Sequence, residues 1–241
     1  MAKQNGQDLP FLVAGGGIGG LVAAYALASK GLPVRVFEQA PEFKELGAGI
    51  QLGPNVFRAL ERIGLKLEML SDAWVPDMLQ MRDAVTAEEV TTVPLGAPFI
   101  ERFKQPYAVT HRADIHGVYL AACQGSNLIS LENGRRVDDF TDHGDSVTVR
   151  FEGGEEARGR ALLGCDGMWS KVRAKIVGDG APRVSGHIAY RAVLKREDVP
   201  DDLWSPDVIL WAGPKTHFVH YPLRRGTLSA ITPSFGPRRG R

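Results

Sequence analysis

The chain lacks several features that would assign it to a class at once. It has only two cysteines, Cys123 and Cys165, among 241 residues, and their wide separation favours reduced thiols over a disulfide or a metal-binding pair. The formal net charge is +1, so the composition gives no electrostatic reason to expect a nucleic-acid partner. No hydrophobic run reaches the length of a membrane span, and the first residues lack the apolar segment of a signal peptide. We therefore expect a cytoplasmic protein with no membrane partner and no metal.

What the chain does have is a glycine-rich segment close to its start, FLVAGGGIGG. Phe11–Ala14 is short, continuous and apolar, which is typical of a buried strand in a parallel sheet. Gly15, Gly17 and Gly20 then follow the spacing G-x-G-x-x-G. In this pattern the first glycine permits a tight turn and the second lets a diphosphate approach the main chain. The third allows the next helix to pack closely on the strand.

The residues after the glycines complete a strand–helix–strand unit. Residues 18–30 are rich in Ala and Leu and end at Gly31, which predicts a helix whose N-terminus faces an anion. Val34–Phe37 predicts the second strand, and Glu38 ends it about 20 residues after the glycines, where a ribose ligand is expected. A carboxylate there accepts bonds from ribose hydroxyls and repels a 2′-phosphate, which disfavours NADP. FAD and NAD both remain open on this segment, as does a glycine-rich turn without a ligand.

A second glycine pair precedes another predicted helix. Gly47 and Gly49 mark a loop where the backbone could approach a ligand. A helix is expected from Asn55, with apolar residues along one face. Arg58 lies early in this helix, either as a contact for flavin or phosphate or as a solvated surface arginine.

Two further segments place polar residues at the ends of strands. Tyr107–Thr110 predicts a strand that runs into a helix, with Arg112 and Asp114 at the junction, where Asp114 is a candidate helix cap. Ala161–Gly164 predicts a parallel strand that ends just before Asp166. Because ligands gather at the carboxyl ends of such strands, Asp166 is a candidate for a ribose hydroxyl, with a helix cap as the alternative.

A late strand carries His217 and Tyr221, four residues apart in THFVHYP. Side chains alternate along a strand, so these two should share one face and His220 should lie on the other. From the pattern alone, a half-buried strand that packs its aromatic face in the core is the favoured interpretation.

Together, the segments GGGIGG with Glu38, GAGIQLGPN, THRADIH and GCDGMWSKVR resemble the FAD-dependent aromatic hydroxylases, the group A flavoprotein monooxygenases. The resemblance covers about residues 9–226. Within this family, MRDAVTAEEV and LWAGPKTHFVHYPLR are most similar to enzymes that convert 3-hydroxybenzoate to gentisate, and salicylate hydroxylases are more distant. The resemblance implies FAD as cofactor, NADH as co-substrate, and O2 and a small aromatic acid as substrates.

The resemblance also implies a chemistry and a role for each matching residue. Reduced flavin would react with O2 to give a C4a-hydroperoxide, which would attack the ring para to its hydroxyl. His217 is the expected base near the phenol, and Tyr221 is expected to orient the ring oxygen. With Arg58 from the residue pattern, the expected cofactor-binding set is Gly15, Gly17, Gly20, Glu38, Arg58, Arg112 and Asp166.

The implied architecture is an α/β fold with two domains. A Rossmann-type FAD-binding domain is expected from two discontinuous segments, 9–75 and 107–180. A β-sheet-rich substrate domain is expected from residues 76–106 and 181–230. A homodimer is an expectation for the full-length protein only.

The end of the chain departs from the family pattern. Relatives carry a later Gly-Asp motif of the form GDAAHP, and this sequence has none. Pro233 and Pro237 are expected to break any strand, so residues 231–241 are predicted to be a disordered tail on a C-terminally truncated chain. The alternatives for function are a salicylate hydroxylase-like monooxygenase and an FAD-binding fragment without catalytic activity. A different FAD enzyme, such as an amine oxidase or a nicotinamide-dependent reductase, and an NAD-linked dehydrogenase also stay open.

Overall fold

The computed structural model describes residues 8–45, 47–66 and 70–236. Within these stretches no helix is both long and apolar enough to cross a membrane. The helices are α1 (Ile18–Ala28), α2 (Pro54–Glu61), α3 (Ala97–Phe103), α4 (Arg112–Gln124) and α5 (Lys171–Val177). The strands are β1 (Phe11–Ala14), β2 (Val34–Phe37), β3 (Gly49–Leu52), β4 (Met78–Asp83), β5 (Glu89–Pro94), β6 (Ala108–His111), β7 (Ile129–Glu132), β8 (Val137–Asp142), β9 (Val147–Phe151), β10 (Glu156–Gly159), β11 (Leu162–Gly164), β12 (Ile188–Ala189), β13 (Ala192–Lys195), β14 (Val208–Gly213), β15 (Thr216–Leu223) and β16 (Leu228–Phe235).

The chain packs into two compact units, each built from two separate segments. The first unit is Met1–Glu45 with Ile115–Pro182, and the second is Leu46–Asp114 with Arg183–Arg241. Helix α4 therefore begins in the second unit and continues into the first.

These boundaries differ from the predicted domain boundaries at two segments. Residues 46–75 and 107–114, which the sequence predicts to be part of the FAD-binding domain, pack in the second unit. The reason is pairing: β3 is antiparallel to β6, and Trp74 forms a bridge with Val109 of β6. Val109 in turn belongs to a core cluster that includes Tyr221 of β15. Which segments form the functional FAD-binding domain stays a prediction.

The first unit contains a parallel sheet with the strand order β11-β1-β2-β7. The two strands predicted at 11–14 and 34–37 are confirmed as β1 and β2. Between them α1 ends at Ala28, close to the expected end, and Gly31 follows with a φ of +77° that favours glycine. Leu21 and Ala24 are the buried side of this helix.

A three-stranded antiparallel sheet, β10-β9-β8, completes the first unit. Its apolar face and the parallel sheet share one core, in which the rings of Phe37 and Phe151 meet edge to face at 4.8 Å between centroids. The buried members of this core are Leu12, Ala14, Phe37, Val137, Val147, Val149, Phe151, Ala157 and Val172.

The second unit is dominated by one large sheet with the order β12-β16-β15-β14-β4-β5, where β13 also pairs with β16. Its strand pairs are antiparallel except for β14 and β4, which run parallel. Strands β4 and β5, at one edge of this sheet, fall in the segment 76–106 that the sequence predicts to be rich in β-sheet. The buried core on one face of this sheet consists of Val109, Val208, Tyr221, Leu223 and Ala230.

The prediction that Pro233 breaks the last strand is wrong. Strand β16 continues through Pro233 to Phe235, so residues 231–235 are not a disordered tail. The Pro233 carbonyl accepts a hydrogen bond from Tyr190, and in a strand the nitrogen points to the same side as the carbonyl. At this point β12 has ended and β13 has not begun, so the missing N–H removes no bond to β15. Pro237 and the arginines after it lie outside the described residues.

Candidate functional site

In the glycine-rich turn between β1 and α1, neighbouring backbone leaves no room for a side chain at Gly15 and Gly20. A Cβ on Gly15, whose φ is +103°, would lie 2.2 Å from the Cys165 carbonyl oxygen. A Cβ on Gly20 would lie 1.9 Å from the Gly15 carbonyl oxygen. At Gly17, by contrast, the nearest atom to an added Cβ is a Glu45 carboxylate oxygen at 4.0 Å. The turn is therefore tight where the chain packs on itself, and the main chain at Gly17 remains approachable.

Both backbone polar groups of Gly16 are hydrogen-bonded to side chains. Its N–H donates to Glu38 Oε2 at 2.7 Å, and its carbonyl accepts from the ring Nε2 of His116 at 2.9 Å. His116 is only 3% exposed, so this bond forms inside the core. Sequence reasoning missed His116, because nothing local to residue 116 indicates that α4 packs beside this turn.

Glu38 ends β2 with its carboxylate fixed beside the turn. Besides the Gly16 N–H, its Oε1 accepts from the Ala40 N–H at 2.9 Å. Two backbone bonds orient the group, and each carboxylate oxygen retains a lone pair for another donor. This arrangement suits a ribose diol, and the contact itself stays a prediction.

Glu38 and the glycine turn line a cavity of about 530 Å³ in the first unit. Asp166 lies on the same cavity, as does the mostly exposed ring of Trp169. Three cationic side chains that sequence reasoning missed also line it. Arg135 and Arg136 belong to the β7–β8 connection, which carries no motif, and Lys171 begins α5.

Asp166 caps the start of α5. Its carboxylate accepts from the Ser170 hydroxyl at 2.5 Å and from the Lys171 and Val172 N–H groups at 2.7 and 3.2 Å. The alternative that the sequence left open, a helix cap, is therefore present. The predicted contact of Asp166 with a ribose hydroxyl of the cofactor stays a prediction.

The donor set of this cavity fits an adenine dinucleotide with linked phosphates. The N-terminal amides of α1 begin at Gly17, whose cap position carries no side chain, so they remain directed at an anion. Arginine and lysine side chains add positive charge for phosphates, and Glu38 supplies the ribose acceptor. Among the described residues, no cluster of three His, Cys, Asp or Glu side chains could hold a metal ion.

Two predicted cofactor ligands lie in the second unit. The Arg58 guanidinium is exposed and donates to the Phe103 carbonyl at 2.8 Å. Arg112 begins α4, and its backbone N–H donates to the Ala48 carbonyl at 2.9 Å. The structure thus gives both residues protein contacts, and their predicted flavin contacts stay predictions.

His217 and Tyr221 lie on the same face of β15, as the alternation of strand side chains requires. Their surroundings differ: His217 is exposed, whereas Tyr221 is 5% exposed. The intervening residue on this face is Val219, and the two Cα atoms are about 13 Å apart at the usual strand rise. A small ligand placed over Val219 would meet one side chain at each end.

The ring of Tyr221 needs the glycine at position 49. A Cβ there would lie 2.4 Å from the Tyr221 hydroxyl oxygen, so Gly49 gives the ring its space. Gly49 also begins β3, which corrects the expectation of a loop at this position. Burial raises the pKa of Tyr221, so its hydroxyl keeps its proton near neutral pH and can donate a hydrogen bond.

Comparison with known proteins assigns the family. The model of the FAD binding domain family matches residues 8–225, and the chain belongs to this family. The chain is 44% identical over 236 residues to the 3-hydroxybenzoate 6-hydroxylase of Polaromonas naphthalenivorans (strain CJ2), covering 98% of this chain and 59% of that protein. It is 42% identical to the enzyme of the same name from Klebsiella oxytoca, over 94% of this chain and 57% of that protein.

A solved structure supports the same assignment. Klebsiella pneumoniae HpxO complexed with FAD and uric acid has a TM-score of 0.81 and 25% identity, covering 97% of this chain and 58% of that one. The predicted family, the α/β fold and FAD as cofactor are thereby confirmed. The chain spans somewhat more than half the length of the relatives that it matches.

Proposed function

We propose that this chain serves the FAD-dependent hydroxylation of a phenolic benzoate, most specifically 3-hydroxybenzoate to gentisate, with NADH and O2 consumed. The observation that carries the proposal is the 44% identity to a 3-hydroxybenzoate 6-hydroxylase over 98% of the chain. A cytoplasmic location and a homodimer of the full-length protein stay predictions from the sequence.

FAD, when bound, supplies the redox chemistry that activates O2. The chain's own residues bind the cofactor and prepare the substrate. The α1 N-terminus and the glycine turn bind the linked phosphates, and Glu38 accepts hydrogen bonds from the adenosine ribose. Asp166 keeps the start of α5 in place at the same cavity.

On the substrate side, the ring must be rich in electrons to be attacked. The imidazole of His217 accepts the phenol proton at its unprotonated ring nitrogen, which raises the electron density of the ring. The Tyr221 hydroxyl donates a hydrogen bond to a substrate oxygen and so fixes the orientation of the substrate ring. The absence of a side chain at Gly49 leaves space for the Tyr221 ring.

The test is NADH oxidation by the purified chain with FAD, measured with 3-hydroxybenzoate and with benzoate, which lacks the phenol. Gentisate formed in step with NADH consumption is expected, and His217→Asn should lower turnover about 100-fold or more. The exposed histidine of the other unit, in His143→Asn, is the matched control and should leave turnover unchanged. FAD binding without gentisate would leave the chain a cofactor-binding fragment and reject the proposed activity.

A further inference from the structure

The face of the large sheet opposite to His217 and Tyr221 carries a second cavity. It has a volume of about 610 Å³ and lies within the second unit. Its floor is formed by alternate residues of neighbouring strands, including Trp211, Phe218 and His220, and residues of the segment 198–205 also line it. This size is typical of small-molecule sites. Nothing in the proposed hydroxylation uses this face.

Arg82 supplies a positive charge in this cavity without a carboxylate beside it. Its Nη2 and Nε donate to Gln80 Oε1 at 3.1 and 3.3 Å, and Gln80 Nε2 donates to Asp207 Oδ2 at 3.0 Å. Arg82 makes no ion pair with any residue in the described part of the chain. The guanidinium is therefore held in place through an amide, and its outer N–H groups remain available to a planar acceptor such as a carboxylate.

Neutral donors accompany this charge. Trp211 Nε1 donates to His220 Nε2 at 3.1 Å, which assigns the proton of a neutral His220 to Nδ1. Burial, and then the charge of Arg82, lower the pKa of His220 and favour that neutral form. Trp204 also lines the cavity, and its buried Nε1 has no hydrogen-bond partner among the described residues. A buried N–H group without a partner is costly, so a ligand acceptor would stabilise it.

The walls are aromatic. The Arg82 guanidinium lies 5.7 Å from the centroid of the Trp211 ring, and the rings of Phe218 and His220 are stacked at 5.5 Å. Flat rings on the floor favour a flat apolar ligand body. Two carboxylates, Asp198 and Asp202, also line the cavity, but both are exposed, so water and salt screen their repulsion of an anion.

We infer that this cavity is a second ligand site, separate from the substrate face, for a small aromatic monocarboxylate whose carboxylate binds Arg82 and whose ring packs on Trp211 and Phe218. The inference does not rest on the proposed hydroxylation. It concerns side chains of the opposite sheet face and requires neither FAD nor turnover.

The test is binding of benzoate to the whole chain without FAD or NADH, followed through the tryptophan side-chain N–H resonances and by calorimetry. Benzamide, benzylamine and acetate serve as neutral, cationic and non-aromatic probes. Benzoate should shift the Trp211 N–H resonance, assigned from a Trp→Phe series, and should bind more tightly than the other three. Arg82→Gln should weaken benzoate about tenfold or more. Arg102→Gln removes an exposed charge of the same unit that does not line the cavity, and it should leave the affinity unchanged.

Phe218→Leu provides a second variant in case Arg82→Gln does not fold, and it should weaken benzoate by about two- to tenfold because it removes an aromatic ring from the floor of the cavity. Three results would overturn the site: no shift of Trp211 at millimolar benzoate, equal affinities of the Arg82 and Arg102 variants, or tighter binding of benzylamine than of benzoate. Gentisate formation plays no part in these readouts, so the failure of one proposal is distinguishable from the failure of the other.

Discussion

Gly19 and Gly20 are neighbours in the same helix turn, yet they have opposite structural demands. An added Cβ at Gly20 meets the Gly15 carbonyl oxygen at 1.9 Å, whereas at Gly19 nothing lies within 4 Å. The G-x-G-x-x-G spacing already identified position 20 as the one that needs glycine. The sequence could not provide the distance, which depends on how closely α1 approaches the turn.

Gly20→Ala should therefore destabilise the protein by about 1–3 kcal/mol, since backbone must move to admit the methyl group. Gly19→Ala should stabilise it by about 0.5–1 kcal/mol, since alanine is the better residue in an open helical position. Chemical denaturation of both variants measures the difference. Equal effects of the two substitutions would contradict the packing of α1 against Gly15.

Tyr119 is 2% exposed, and burial raises its pKa to about 12 from the ordinary value of 10.0. A pKa raised in the folded state means that the unfolded chain ionises first as pH rises. The contribution of Tyr119 to the free energy of unfolding is therefore complete below about pH 10 and is lost progressively up to about pH 12.

The free energy of unfolding should thus fall across this window, with Tyr119 contributing on the order of 2 kcal/mol. Tyr119→Phe should flatten the fall, whereas Tyr25→Phe, whose ring is less buried, should leave it unchanged. Denaturation at several alkaline pH values checks this. A profile that is identical in wild type and Tyr119→Phe would refute the assignment.

At the scale of elements, helix α5 depends on a residue outside it. Asp166 accepts bonds from the Lys171 and Val172 N–H groups, which have no partners within the helix. The sequence indicated this cap as an alternative to a ligand contact, because Asp166 lies between a strand end and a helix start. It could not decide between the two, since both use the same carboxylate.

Asp166→Ala should lower the free energy of unfolding by about 1–2 kcal/mol and should speed hydrogen exchange at the backbone amides of Lys171 and Val172. Asp166→Asn retains an acceptor oxygen and should lose less stability. Exchange rates at these two amides, read beside those of Lys175 later in the helix, test the effect. If the two amides exchange as slowly in the alanine variant as in wild type, Asp166 does not cap the helix.

In the large sheet, local sequence patterns predict which face a side chain lies on but not how deeply it is buried. Alternation placed His217 and Tyr221 on one face without any knowledge of the fold. Their different exposure was not predictable, because it depends on neighbours from distant segments, β6 and β16. Pro233 is a similar case: proline is a poor strand residue in general, and only the gap between β12 and β13 makes it harmless here.

For the whole molecule, the first strand–helix–strand unit and the family were predictable, because the glycines, helix and Glu38 lie within one short segment. The boundaries of the packed units were less so, since β3 and β6 join the second unit through pairing rather than through a local pattern. The cavity behind Trp211 carries no motif, and it becomes visible only once five strands and the segment 198–205 are assembled.

We expect the first unit to hold the adenosine diphosphate part of FAD, with its phosphates at Gly15–Gly20 and its ribose at Glu38. Calorimetric titration of the purified chain with ADP and with FAD tests it most directly, with Glu38→Gln beside Glu42→Gln, an exposed acid of the following loop, as control. Loss of the carboxylate should weaken both ligands about tenfold or more, while the control retains wild-type affinity. Equal affinity of the Glu38 variant and wild type, with both folded, would contradict the account.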